Sequence, residues 1–358
     1  MGSLPLLPKT GAKEVLGMHT KKETDLQTEE LRNFPKVELH CHLDGSLTEK
    51  AVRRIVRESG YDMEVLLDSM RVRGETRDLA DYLSCFAHSL PLLQSEENLR
   101  IAAYELVGQA AADSVIYMEV RFAPMYHKKG GLTQTEAVKA VLTGLEEAEK
   151  DFGVKSRLLL CMMRGKTQEE NGETLSCALQ MREYGVAGID LAGNEAAYPA
   201  RLYRELFLRA REKQLPFTMH AGECGSVENV RDSVEMGAGR IGHGVAIADD
   251  GEMKRICREK GIVLELCPVS NLQTGAVKSL ETYPWAKMRE EGVPVTVNTD
   301  NRTVSNTSLF KEWQTLDGSF GPVDARILRQ AAYYAIDAAF LSWAEKESLR
   351  KTLRDRTE

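Results

Sequence analysis

The chain has 358 residues, of which 42% are hydrophobic and 28% are charged, and its formal net charge is −7. These are ordinary globular values, and they exclude a largely disordered chain. The acidic balance argues against nucleic acid or an anionic membrane as the main partner, because such partners are bound by basic faces. No apolar run in the sequence approaches the roughly 18 consecutive residues of a membrane span.

Residues 1–33 are polar and rich in lysine, without clear periodicity. We interpret them as an N-terminal extension or a poorly packed lead-in helix, and we expect a single domain over 34–358. The N-terminus lacks the basic region and apolar core of a secretory signal. Seven cysteines are scattered along the chain without a C-x-x-C pair. An odd, scattered set does not resemble a disulfide framework, so a cytoplasmic location is expected.

Short apolar runs alternate with amphipathic helical patterns from residue 34 onward. Strands that alternate with helices pair in parallel, and eight such units predict a closed (β/α)8 barrel, the TIM barrel. A doubly wound open sheet, the alternative, would need about five or six strands and a switch point. The eight predicted strands are Val37–His42, Val115–Phe122, Leu158–Met163, Val186–Leu191, Phe217–His220, Arg240–Val245, Ile262–Leu266 and Val295–Thr299.

A long interval, residues 43–114, separates the first two predicted strands. It carries helical patterns near 47–59 and 96–113, and the first is preceded by a possible capping box from Ser46 to Glu49. A second capping box, from Thr133 to Glu136, precedes the helix after strand two. An insertion at the C-terminal end of a barrel strand lies where barrel active sites form, so we expect this helical insertion to act as a lid.

Polar residues at the predicted strand ends carry the chemistry. His40 and His42 are two apart at the end of strand one, so both imidazoles point to the same face. His220 and His243 lie in strands five and six, and Asp300 follows strand eight. A single histidine is more often a buried structural residue. An H-x-H pair with further histidines and an aspartate on one rim instead predicts a metal site, and imidazole and carboxylate suit zinc.

Glu223 follows His220 by three residues, just past strand five. From this loop its carboxyl group can reach a substrate bound beside the metal. A carboxyl group in a closed, partly apolar pocket has a raised pKa and can act as a general acid near neutrality. Glu223 is therefore the predicted acid.

Six motifs in order resemble those of the adenosine deaminase family, in its bacterial form. The resemblance extends from about Phe34 to near Asp317, and more loosely to the end. The motifs are Val37-Glu38-Leu39-His40-Cys41-His42-Leu43-Asp44-Gly45-Ser46-Leu47, Asp190-Leu191-Ala192-Gly193-Asn194-Glu195, His220-Ala221-Gly222-Glu223, Arg240-Ile241-Gly242-His243-Gly244, Cys267-Pro268-Val269-Ser270-Asn271 and Asn298-Thr299-Asp300.

The resemblance implies a zinc-dependent hydrolase that converts adenosine, and 2′-deoxyadenosine, to inosine and ammonia in purine salvage. One zinc ion per chain would be held by His40, His42, His220 and Asp300. Glu223 would protonate purine N1, while His243 and Asp300 would orient the attacking water. The implied substrate-binding residues are His42, Asp44, Gly193, Asn301, Met163, Tyr82, Leu83 and Phe86.

Two of these positions bear on the substrate. The resemblance implies that Asp44 accepts a hydrogen bond from the ribose 5′-hydroxyl, and a charged Asp44 would repel a 5′-phosphate. Related adenine deaminases usually carry glutamate there. Asn301 departs from the family, in which a second aspartate often contacts purine N7. Because an amide donates at any pH, we expect the N7 contact to survive, with a possible change in base selectivity.

Three alternatives remain from the sequence. The first is a deaminase of another 6-aminopurine, such as adenine, N6-methylated adenosine or an adenine nucleotide. The second, a two-metal amidohydrolase, would need a bridging lysine in strand four, and Val186–Leu191 contains none. The third, a non-catalytic relative, would be expected to have lost a metal ligand or the acid. The expected ligand is thus a small purine nucleoside, and the oligomeric state is not predicted.

Overall fold

The computed structural model describes residues 28–57, 60, 62–72 and 79–357. Most of the expected N-terminal extension, residues 1–27, lies outside this part of the chain. Residues 28–33 form helix α1. Its Leu31 is buried in the main core, and the Arg32 guanidinium lies over the Phe310 ring at 3.9 Å. The end of the segment is therefore packed against the domain.

Eight β-strands are found where the apolar runs predicted them, with ends that differ by a few residues. Their side chains are almost entirely buried, as expected for parallel strands covered on both faces. The strands are β1 (Lys36–His42), β2 (Val115–Phe122), β3 (Lys155–Met163), β4 (Val186–Ala192), β5 (Thr218–Ala221), β6 (Arg240–His243), β7 (Val263–Leu266) and β8 (Val295–Val297).

The strands form two four-stranded parallel sheets, β1-β2-β3-β4 and β5-β6-β7-β8. Two isolated parallel bridges join them, one between Ile189 in β4 and Phe217, the other between Cys41 in β1 and Asp300. Strand order therefore runs in a ring, consistent with the expected TIM barrel. The second bridge is important for the site, because it brings the chain after β8 beside the end of β1.

The helical insertion after β1 is confirmed and contains more helices than the sequence suggested. Its members are α2 (Glu49–Ile55), α3 (Met63–Ser69), α4 (Leu79–Ser84), α5 (Phe86–Ser89) and α6 (Glu96–Ala112). The expected capping box at Ser46 is wrong: Thr48 is the N-cap of α2 and accepts a hydrogen bond from the Ala51 N–H. The Ser46 hydroxyl instead accepts one from the Arg302 N–H. Asp44, another residue of a type that caps helices, is not the N-cap either, which leaves its carboxyl group for another role.

The remaining helices cover the barrel or extend from its loops. In α7 the capping box from Thr133 to Glu136 is present as predicted. Within the described part of the chain, no helix is both long and apolar enough to cross a membrane. These helices are α7 (Gln134–Phe152), α8 (Gln168–Gln180), α9 (Arg204–Glu212), α10 (Val227–Met236), α11 (Gly251–Lys260), α12 (Pro268–Gln273), α13 (Trp285–Glu290), α14 (Leu309–Phe320), α15 (Ala325–Ala338) and α16 (Trp343–Thr357).

Candidate active site

A cavity of about 480 Å³ opens at the C-terminal ends of the strands, a size typical of small-molecule sites. Every residue predicted for the site lines this cavity except His40, which is fully buried beneath the lining residues. Helices α4 and α5 form an apolar wall on one side. The predicted residues that line the cavity are His42, Asp44, Tyr82, Leu83, Phe86, Met163, Gly193, His220, Glu223, His243, Asp300 and Asn301.

Four side chains at the base of the cavity could hold a metal ion. One ligand atom from each of His40, His42, His220 and Asp300 lies within 4.8 Å of the others. The Nε2 atoms of His42 and His220 are 3.1 Å apart, and Asp300 Oδ1 is 3.4 Å from the Nε2 atoms of His40 and His42. These separations match the edge of about 3.3 Å expected for a tetrahedron with ~2.0 Å metal–nitrogen bonds.

Barrel closure places Asp300 in this cluster. The Asp300 N–H donates to the His40 carbonyl at 2.9 Å, and the His42 N–H donates to the Asp300 carbonyl at 2.7 Å. Asp300 has a left-handed φ of 57°, uncommon for a residue other than glycine. Strained backbone of this kind persists where the surrounding structure holds it in place. Here the two hydrogen bonds between Asp300 and the end of β1 hold it in place, and they direct the carboxylate between His40 and His42.

A buried layer of charges orients the histidines. His40 Nδ1 lies 2.9 Å from Glu265 Oε2, and His220 Nδ1 lies 2.9 Å from Asp190 Oδ2. Arg121 bridges both carboxylates at 3.0 Å. Imidazoles that donate through Nδ1 present a bare Nε2, the arrangement common in metal sites. Accordingly, the buried Nε2 of His40 has no hydrogen-bond partner among the described residues, and the donor set fits a divalent metal.

Gly242 in β6 makes room for this cluster. A Cβ atom there would lie 3.0 Å from His40 Cε1 and 3.2 Å from His220 Cα. Such distances are shorter than ordinary van der Waals contact, so a side chain would push the histidine rings apart. The glycine of the Arg240-Ile241-Gly242-His243 motif is therefore needed for close packing around the metal site.

Glu223 is buried beside the cluster, with Oε2 3.6 Å from His243 Nε2. Burial, with the charges of Asp300 and Glu195, raises the pKa of Glu223 to about 8. At neutral pH the carboxyl group is therefore protonated and able to donate. Burial and the neighbouring histidines hold the pKa of His243 well below its usual value, so this ring is neutral.

Glu195 holds the loop that carries Glu223. One of its carboxylate oxygens accepts from the Gly222 N–H at 2.7 Å and from Asn229 Nδ2 at 2.9 Å. The other accepts from the Glu223 N–H at 3.0 Å and from the Cys224 N–H at 3.2 Å. Its side chain is buried. Each carboxylate oxygen of Glu195 thus accepts two hydrogen bonds. This one carboxylate therefore fixes the backbone of Glu223.

The predicted role of Glu223 as the acid implies that glutamine at position 195 lowers kcat about 10²-fold with little change in KM, because a small displacement of a catalytic group has a cost of this size. Whichever way the amide is turned, its NH2 group faces two N–H donors, and the loop must shift. Steady-state kinetics of Glu195→Gln would measure this. Glu170→Gln is the control, since the Glu170 carboxylate accepts from the Thr167 N–H in the capping box of α8. A Glu195→Gln enzyme with kcat near that of the wild type would contradict this role.

Asp44 and Asn301 present unpaired polar atoms at the cavity. Asp44 Oδ1 and Asn301 Oδ1 are buried and have no hydrogen-bond partner among the described residues. Burial raises the pKa of Asp44 to about 7. At neutral pH the carboxyl group is therefore only partly ionised, and it repels a phosphate less than the fully charged Asp44 expected from the sequence would. A Cβ atom on Gly45 would lie 1.8 Å from Asn301 Oδ1, so glycine is needed there. Both residues line the cavity.

Several residues that pack in or around the candidate site were not predicted from the sequence. Glu195 and Asp190 lie inside the Asp190–Glu195 motif but had no role assigned, and their place in that motif was the available signal. Arg121, Glu265 and His127 gave no local signal. The Nε2 atom of His127 lies 4.0 Å from Asp44 Oδ2, and its Nδ1 bonds the Leu93 carbonyl at 2.8 Å.

Comparison with known proteins finds relatives that match nearly the whole chain. A family model for adenosine deaminase matches residues 35–356. An adenosine deaminase of Enterococcus faecalis is 43% identical, covering 92% of this chain and 98% of the relative. An adenosine deaminase of Lactococcus lactis is 39% identical, with coverage of 91% and 94%.

Solved structures agree in fold at lower identity. An adenine deaminase of Arthrobacter aurescens aligns with a TM-score of 0.82 at 26% identity, covering 90% of this chain and 98% of that one. The N6-methyl-AMP deaminase of Arabidopsis thaliana gives 0.80 at 26%, with coverage of 92% and 98%. An amidohydrolase of Burkholderia ambifaria with bound Zn gives 0.81 at 27%, with coverage of 92% of each chain. The chain described here belongs to the adenosine deaminase family.

Proposed function

We propose that this chain is a zinc-dependent enzyme that hydrolyses adenosine, and 2′-deoxyadenosine, to inosine and ammonia. One observation carries the proposal: a single cavity combines a four-residue metal-ligand set with a buried carboxyl group that stays protonated at neutral pH. Hydrolytic deamination needs both an activated water and a proton donor to the ring. The curated relatives with the highest identities given above bear this activity in their names.

His40, His42, His220 and Asp300 would hold the zinc ion. Zinc bound there would supply Lewis-acid chemistry that makes water nucleophilic near neutral pH. The chain's own contribution is a rigid set of donors in a water-poor pocket, since all four residues are buried or nearly so. The Zn-containing Burkholderia neighbour supports the choice of metal.

Glu223 would donate its proton to N1 of the purine, which makes C6 more electrophilic. The protonated state below about pH 8 suits this role. His243 faces the same region through Nε2 and would orient the water that attacks C6, together with Asp300. Ser270 donates to Asp300 Oδ2 at 2.6 Å, which fixes that carboxylate.

Base and sugar would be recognised by the remaining polar groups. Asp44 would accept a ribose hydroxyl and Asn301 would donate its amide to N7, while the Gly193 backbone would approach N3 closely. Gly193 has a φ of 103°, a conformation natural to glycine. The Tyr82 hydroxyl bonds Ser305 Oγ at 2.7 Å, which leaves its ring to pack against the ligand with Leu83, Phe86 and Met163.

The charge pattern favours a nucleoside over a nucleotide. Among the described residues that line the cavity, Arg164 is the one lysine or arginine. Its guanidinium already donates to the Tyr198 and His220 carbonyls. Lys128, a possible phosphate ligand after β2, pairs with Glu173 at 3.2 Å. A phosphate entering beside Asp44 would therefore lack the cation partners that phosphate sites use.

We further propose that 34–358 form one deaminase domain preceded by the 1–33 extension, which the family match to 35–356 supports. The partner we propose is a free purine nucleoside, and the location we propose is the cytoplasm, on the sequence grounds given above. Neighbours of similar fold have been solved with the nucleotides IMP and GMP, so nucleotides belong among the tested substrates.

Ammonia release by metal-replete protein should be measured with adenosine, adenine, AMP and N6-methyladenosine in parallel. We expect adenosine to exceed adenine and AMP in kcat/KM by about 10²-fold or more, because a ligand that leaves a buried polar group unpaired is strongly rejected. Asp44→Ala is expected to lower kcat/KM for adenosine about 10- to 100-fold and to leave adenine nearly unaffected. A preference for adenine or AMP would overturn the assigned substrate and keep the deaminase chemistry.

A further inference from the structure

The hydrogen bonding of His243 defines which of its nitrogens carries the proton. This residue ends β6 with a left-handed φ of 63° and is buried. Its Nδ1 faces away from the cavity and lies 2.9 Å from Asn271 Nδ2. Its Nε2 lies on the Glu223 side and has no hydrogen-bond partner among the described residues. The tautomer therefore depends on which way the Asn271 amide is turned.

Neighbouring donors fix the orientation of that amide. Asn271 is fully buried in α12. Its Oδ1 accepts from the Tyr283 hydroxyl at 3.0 Å and from the Cys267 N–H at 3.4 Å. A backbone N–H can only donate, so the amide oxygen must lie on that side. The NH2 group is then turned toward His243 and must donate to Nδ1.

The backbone around Asn271 leaves little freedom to rearrange. Its own N–H donates to the Cys267 carbonyl at 2.8 Å, and its carbonyl accepts from the Val277 N–H at 3.1 Å. Tyr283 is buried as well. The side chain is therefore held at both ends, as expected of a group that supports a functional residue rather than one that touches ligand.

We propose that Asn271 and Tyr283 are positioning residues that hold His243 as the neutral tautomer protonated on Nε2. This inference rests on the proposed function. An Nδ1 atom that accepts a hydrogen bond carries no proton, so in the neutral ring Nε2 carries it. His243 then faces the reaction as a hydrogen-bond donor that orients the attacking oxygen. It does not begin the reaction as the base that removes a proton from water.

The tautomer can be read directly by NMR of metal-loaded protein labelled with 15N-histidine. Proton–nitrogen correlations across the ring distinguish protonated from bare nitrogens, and His243→Gln assigns the His243 signals by their loss. We expect a bare Nδ1 and a protonated Nε2 in the wild type. A protonated Nδ1 would overturn the proposal.

Two variants test the positioning residues. Asn271→Asp offers only acceptors to Nδ1, so we expect the proton to move to Nδ1 and kcat to fall about 10²- to 10⁴-fold, the range known for general acid–base groups and for an inverted histidine tautomer. KM should stay within about threefold, because ground-state binding is not changed. Tyr283→Phe removes one of the two donors that orient the Asn271 amide. We expect about a fivefold loss of kcat and NMR signals from both tautomers of His243.

Asn298→Asp is the matched control, since Asn298 is fully buried and bonds Leu39 N and Leu266 O on neighbouring strands. It buries a new carboxyl group too, but should leave the His243 signals unchanged. Unchanged His243 signals in Asn271→Asp would refute the role of Asn271. A wild type that shows the expected tautomer but does not release ammonia from adenosine would refute the proposed function alone.

Discussion

Replacing Glu223 by glutamine is expected to lower kcat for adenosine about 10³-fold, within the range that a positioned proton donor contributes. The amide keeps the size and the hydrogen-bonding reach of the carboxyl group but cannot transfer a proton to N1. KM should change by no more than about threefold, because the amide can still donate to a ring nitrogen in the ground state. Steady-state ammonia release at fixed metal content measures both parameters.

The structural reason for so large an effect is the isolation of this carboxyl group. Glu223 Oε1 is buried and has no hydrogen-bond partner among the described residues. Its backbone is fixed by Glu195, so the side chain is already aimed before substrate enters. Glu223 is only 7% exposed, so bulk water has little access to replace the lost proton donor.

The pKa of Glu223 also sets a pH dependence. Because the raised pKa is about 8, the acid is protonated below that pH and loses its proton above it. Activity should therefore fall as pH rises, with a midpoint at or below this value. A bound divalent cation would offset the charge of Asp300 and move the midpoint to lower pH. The alkaline fall in kcat should disappear from the residual activity of Glu223→Gln.

Glu228→Gln is the matched control, since Glu228 follows in the same loop-and-helix segment and its side chain is 67% exposed. It should keep wild-type kcat and the wild-type pH profile. If Glu223→Gln retained a tenth or more of kcat, another group would have to be the proton donor, and the proposed role of Glu223 would be wrong.

The parts of this site that were predicted from sequence share one property: their signal is local. The alternation of apolar runs and helical patterns located all eight strands. His40 and His42 could be assigned to one face because side chains alternate along a strand. His220 and Asp300 then followed from their places at strand ends, since parallel strands of a barrel share one rim.

The residues that were missed depend on the packing of distant segments. Arg121 touches Asp190 and Glu265 only because barrel closure brings three strands around one buried guanidinium. Asn271 belongs to the Cys267–Asn271 motif, but no role was assigned to it, and its bond to His243 appears only in three dimensions.

The insertion shows a different limit of prediction from sequence. Helices α3, α4 and α5 are each of seven residues or fewer. Short helices carry too few turns for a reliable apolar period, and their stability comes from tertiary packing. The N-cap of α2 was misplaced for a related reason. Ser46 and Thr48 are both favourable caps by type, and the Arg302 N–H, far along the chain, engages Ser46.

Alanine at His220 is expected to release the metal and to lower kcat at least about 10³-fold, because a catalytic metal contributes several kcal/mol of transition-state stabilisation. The Nε2 atom of His220 is one of the four candidate ligand atoms and lies 3.1 Å from Nε2 of His42. Without it the site keeps two imidazoles and one carboxylate. Metal content by elemental analysis and ammonia release on the same sample would measure the two losses together.

His88→Ala provides the matched control, since His88 lies in α5 near the cavity but is exposed, and its metal content and kcat should not change. Asp190→Asn gives an intermediate test: it leaves all four proposed ligands in place but weakens the support of His220 Nδ1. Loss of such a supporting carboxylate typically costs about 10- to 100-fold in metal affinity. Activity of Asp190→Asn should therefore return on adding zinc, whereas that of His220→Ala should not. If His220→Ala retained stoichiometric metal and full turnover, His220 would not be a ligand and the metal would have to lie elsewhere on the rim.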